Sequence, residues 1–131
     1  CGVILLGRND ESGRRVELTT AGGYRRENES AYYCARRNLR DQLGIEANDI
    51  RACVARVCGH PGQEVCVQCL TTEEFQIVDR PTSGYERLRV SLAEALELAF
   101  DGHLTDDTAT IQVLALYAEL LAGNKIKPLR F

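Results

Sequence analysis

The chain of 131 residues has the size of a single domain, able to bury roughly two-thirds of the surface its unfolded form exposes. Apolar residues make up 44% and charged residues 27%, an ordinary globular balance that excludes a disordered chain, a collagen-like repeat and a coiled coil. The formal charge of −3 argues against a general nucleic-acid binder, although Lys125 and Lys127 are the only lysines among 16 cations and the arginine pairs 14-15, 25-26 and 36-37 could make local phosphate sites.

From the N-terminus, Val3 to Leu6 reads as a strand, too short for a signal-peptide core. With no run of 18 apolar residues, neither membrane nor secretion is indicated, and the cytoplasm or an organelle matrix is the expected compartment. The chain starts at Cys1 and contains no Met, so it reads as a fragment or a processed form. The polar turn from Asn9 to Gly13 leads to a second strand, Val16 to Thr20, which completes a hairpin. Gly22 and Gly23 then break the strand. Asn28 or Ser30 can cap a helix carried by Ala31, Ala35, Leu39 and Leu43, and Gly44 stands where a left-handed C-terminal cap belongs. Ile50 to Cys58 and Glu64 to Leu70 are β-rich runs joined by a loop containing His60, Pro61 and Gly62, and Phe75 to Val78 and Arg87 to Val90 are further strands.

The last third is helical. Ser91 to Glu94 is a capping box that opens a helix over about 91–101, carried by Leu92, Ala95, Leu96 and Ala99. A longer helix over about 106–122 follows, with Ile111, Leu114, Ala118 and Leu121 at helical spacing. Six cysteines, Cys1, Cys34, Cys53, Cys58, Cys66 and Cys69, read as reduced, small buried hydrophobes. Cys66 and Cys69 have CxxC spacing, but a strand turns residues three apart to opposite faces, so no zinc is expected. One domain over 1–131, a mixed sheet covered by helices, is the architecture implied.

The stretch GGYRRENESAYYCARRNLRDQLGI, residues 22–45, carries the chemistry. Glu29 stands six after Gly23, Arg37 stands eight after Glu29, and Leu39, Gly44 and Ile45 complete six positions that resemble the Nudix box. Pro61, 16 residues after Ile45, and the helical ending are similar to the ADP-ribose and nucleoside-diphosphate-sugar pyrophosphatase branch of that superfamily. The resemblance implies an α/β/α sandwich with a mixed sheet whose first strand would precede Val3. It also implies Mg²⁺ held by helix carboxylates at 38, 41 and 42, positions related by i, i+3 and i+4. Here these are Asn38, Asp41 and Gln42, so Glu29 and Asp41 are the remaining charged ligands and Mg²⁺ is expected to bind weakly or not at all. The same resemblance gives Glu86, on the loop from Asp79, as the best candidate general base, with Glu73, Glu74 and Asp79 behind it and Glu29 as a second catalytic candidate. Gly22, Gly23, Arg25, Arg26 and Pro61 are its candidate substrate contacts. Arg37 and Gly44 read as structural, Arg37 by pairing Glu29 bidentately.

Two functions are therefore expected in competition. The first is a Nudix-like domain with an eroded metal site, serving as a nucleotide-binding or structural and interaction module in a homodimer or larger assembly. The alternative is a weak or unusual Mg²⁺-dependent hydrolase of a nucleoside-diphosphate-linked small molecule, ADP-ribose or a nucleotide sugar.

Overall fold

The four consecutive apolar residues Val3 to Leu6 can be buried only by a strand covered on both faces, because successive side chains point to opposite sides. In the computed structural model, this is what β1 does. The structure describes residues 2–23, 25–58, 64–71, 74–123 and 127–128, and of 52–58, 64–71 and 127–128 the backbone alone. Strands β1 (Gly2–Asn9) and β2 (Arg15–Thr19) precede helix α1 (Ala31–Asn38); strands β3 (Ile45–Glu46), β4 (Arg51–Cys58), β5 (Glu64–Thr71), β6 (Gln76–Ile77) and β7 (Glu86–Ser91) follow it, then helices α2 (Leu92–Phe100) and α3 (Asp107–Leu121) and strand β8 (Lys127–Pro128). Leu5 is fully buried against α2 and α3 with Leu18, Ala95, Ala99, Leu104, Ala109 and Val113. Its neighbour Leu6 packs the other way, with Leu43 and Ile45. Helical segments thus lie on both faces of the β2–β1–β7 sheet.

The molecule is α/β. In place of one mixed sheet, the described residues form three small antiparallel sheets, ordered β2–β1–β7, β3–β6 and β5–β4–β8. The local reason is connection length. Asp10 to Arg14 is too short for a parallel crossover and closes a hairpin, in which the Asp10 carboxylate accepts from the Ser12 and Arg14 amides at 3.0 Å each. β4 and β5 pair in the same way, from Arg51 opposite Thr71 to Cys58 opposite Glu64. Cys66 and Cys69 both belong to β5, and Cys53 stands opposite Cys69. His60 and Pro61 lie outside the described residues.

Two further expectations need correction. The box helix does not run as a regular α-helix to Leu43: after Asn38 it widens into a π-helical turn, Leu39–Leu43, before Gly44 closes it at φ 64°. On α3, the buried stripe is Ala109, Gln112, Val113 and Leu116 instead of the one through Ile111 and Leu121, and Leu121 is 72% exposed. Apolar residues occur on nearly every side of that helix, so spacing alone did not select a face. Caps fix the helix starts: Ser30, Ser91 and Asp106 accept from the amides of Tyr33, Glu94 and Thr108. No helix among the described residues is long and apolar enough to cross a membrane.

Candidate functional site

The site is built where the glycine loop after β2 meets the start of α1. Asn28 takes φ 61° and turns the chain so that Glu29, one residue before the cap, folds back over the helix. Arg37, two turns further along, donates through Nε to Glu29 Oε2 and through Nη2 to Oε1, both at 2.8 Å. The Arg26 amide also donates to Oε1 at 3.0 Å. This is the fork geometry in which a guanidinium grips a carboxylate most firmly, and only 13% of the Glu29 side chain is exposed. The Arg37 bonds, helped by the Arg26 amide, push the Glu29 carboxyl down to about 2. The same pairing raises Arg37. Cys34 lies buried beneath the pair, its thiol pushed up by burial and then by the nearby Glu29 charge.

A second set of contacts joins the box to the glycine loop. Gln42 pairs its amide with the peptide groups of Gly22: Oε1 accepts from the Gly22 amide at 3.1 Å, and Nε2 donates to the Gly22 carbonyl at 2.8 Å. Nε2 also donates to Asn38 Oδ1 at 3.1 Å. Asn38, itself buried, donates to the Cys34 carbonyl at 3.0 Å and reaches the Cys34 sulfur at 3.4 Å. From the opposite side comes Gln112 of α3, whose Oε1 accepts from the Thr20 hydroxyl. Sequence reasoning missed Gln112, although its place at i+3 from Ala109 and i−4 from Leu116 puts a polar residue on an apolar stripe.

Glu86 stands elsewhere. It begins β7 opposite Gly7, is exposed, and pairs with Arg15 at 2.7 Å. Its loop is nevertheless fastened to the end of the box. The Gly44 carbonyl accepts from the amides of Val78 and Asp79 at 2.9 and 3.2 Å, the Gln42 carbonyl accepts from Thr82 at 2.9 Å, and Arg87 donates to the carbonyls of Leu43 and Asp79 at 2.6 and 2.8 Å. Asp79 is exposed, and its carboxylate accepts from the Arg80 amide at 2.7 Å. Arg25, Arg26 and Asp41 are exposed. The structure thus brings Glu29, Arg37, Asn38, Gln42 and Gly22 together, with Gly23 against Asn38, and leaves Glu86 on the sheet. Pro61 and Glu73 lie outside the described residues.

The architecture has a solved counterpart. The chain is similar to the solution structure of the E. coli ORF135 protein, with a TM-score of 0.69 and 21% identity over 92% of this chain and 83% of that one. At that identity the likeness concerns the fold alone. No protein-family profile and no curated protein matches the chain.

A hydrated divalent cation needs several charged oxygens that are free to turn toward it. Here both Glu29 oxygens are engaged by Arg37 and Arg26, the amides of 38 and 42 are committed to the loop and the helix, and Asp41 alone remains as an exposed carboxylate on the box helix. No group of three His, Cys, Asp or Glu side chains placed to hold a metal occurs among the described residues. The donor set does not fit Mg²⁺.

Proposed function

We propose that the chain is a Nudix-like domain that works as a nucleotide-binding or structural and interaction module, and not as a metal-dependent hydrolase. One observation carries the reading: at positions 38 and 42, where the Nudix resemblance would put carboxylate ligands, stand neutral amides that bond the fold to itself and supply no charge to hold a cation against a diphosphate. The box spacing and the α/β fold support the Nudix part of the reading. Two exposed arginines, Arg25 and Arg26, sit beside the glycine loop, where a nucleoside diphosphate could be gripped without metal.

The weak Mg²⁺-dependent hydrolase remains the alternative because Asp41 is exposed and the loop from Asp79 is tied to the box. Incubating the protein with ADP-ribose and Mg²⁺ while following AMP release separates the two. No turnover, together with a melting-point rise on ADP-ribose that persists in EDTA, is expected for a nucleotide-binding module. Repeated turnover abolished by EDTA overturns the module reading.

A further inference from the structure

We infer that Gln42, oriented by Asn38, is a positioning residue that holds the glycine loop closed on the box helix without any cation, through hydrogen-bond donation that a carboxylate at 42 could not supply. Its direction is fixed at every joint. The two Asn38 donors point to the Cys34 carbonyl and sulfur, so Oδ1 is left facing Gln42 as an acceptor. Gln42 must therefore present its NH₂ to Oδ1, and the same NH₂ meets the Gly22 carbonyl while Oε1 meets the Gly22 amide. The pairing of one side-chain amide with both peptide groups of a residue repeats the two-bond pattern of a strand ladder at a single point. Close packing at the next residue reinforces it, since a Cβ on Gly23 would stand 3.1 Å from Asn38 Oδ1.

A glutamate at 42 has the shape of Gln42 but no donor. Its carboxylate would face the Gly22 carbonyl and Asn38 Oδ1 with acceptor against acceptor, an arrangement that a bound cation, a proton or a rotation into solvent would relieve. The inference does not rest on a nucleotide being bound.

Amide hydrogen exchange of the intact chain tests it at Gly22, whose amide donates to Gln42 Oε1. In the wild type, protection there should be the same in EDTA, in Mg²⁺ and in Mn²⁺. Gln42→Ala, which removes the acceptor of the Gly22 amide, and Gln42→Glu, whose carboxylate is turned away by the Gly22 carbonyl and Asn38 Oδ1, should each speed exchange at Gly22 roughly tenfold in EDTA, as expected for the loss of a hydrogen bond of ordinary strength, while the amides of β1 and β7 keep wild-type protection. Protection at Gly22 that rises severalfold on adding Mg²⁺ to the wild type overturns the inference. So does a Gln42→Glu chain that protects the loop as well as the wild type in EDTA. The wild-type cation response needs no variant and stands even if a substitution impairs folding.

Discussion

At the scale of single residues, the fork between Arg37 and Glu29 ties the residue before the Ser30 cap to the far end of α1. Arg37→Ala leaves a carboxylate that is 13% exposed without its main partner, and the melting temperature should fall by several degrees in calorimetry. Arg36→Ala should move it little, because Arg36 is 39% exposed and its contact with Glu46 is a loose 3.8 Å. Acid provides an independent reading of the same pair. The Glu29 carboxyl lies at about 2 in the folded chain against an ordinary 4.5, so its stabilisation is complete above 4.5 and is lost as pH falls toward 2. Glu17, lowered by the Tyr85 hydroxyl and then by Arg8, contributes to the same slope. Glu29→Gln should accordingly be less stable than the wild type near neutrality, with the gap narrowing between pH 4.5 and 2 in urea melts; a constant gap would count against the pairing.

At the scale of elements, Gly44 joins the π-helical turn to the loop from Asp79. It takes φ 64°, and a Cβ there would run into the Asp79 carbonyl and stand 2.8 Å from the Arg80 carbonyl. Gly84 has a similar φ of 84° but open space around it. Gly84→Ala should cost about 1–2 kcal/mol from left-handed backbone alone, and Gly44→Ala well above that, with faster hydrogen exchange at Val78 and Thr82; equal costs in urea denaturation would show that the loop is not held there. Such elements differ in how plainly the sequence announces them. Caps at Ser30 and Ser91 are legible because a side-chain oxygen must sit at a fixed offset from the amides it serves. Gln76–Ile77 lies within the strand read over Phe75 to Val78, but its partner Ile45–Glu46 is not legible, since two residues are defined as a strand only by that distant pairing. Nor does sequence reveal the amide clasp: Asn38 and Gln42 read as lost carboxylates, and only their donor directions show that they serve the loop.

At the scale of the whole molecule, the central strand joins two packed layers through Leu5 and Leu6. Leu5→Ala should cost about 2–5 kcal/mol in urea denaturation, as expected for a wholly buried leucine. Leu121→Ala, at a side chain 72% exposed, should stay within about 0.5 kcal/mol. The register of that strand also sets a timetable. The hairpin to β2 covers β1 only from Leu6 to Asn9, and the other edge pairs with Glu86 to Ser91, far along the chain. Among the described residues Val3 to Leu5 pair only with β7, so during synthesis from the N-terminus this apolar stretch leaves the ribosome before its strand partner exists. A nascent chain halted before residue 86 would hence expose an apolar, β-rich edge open to pairing with another chain.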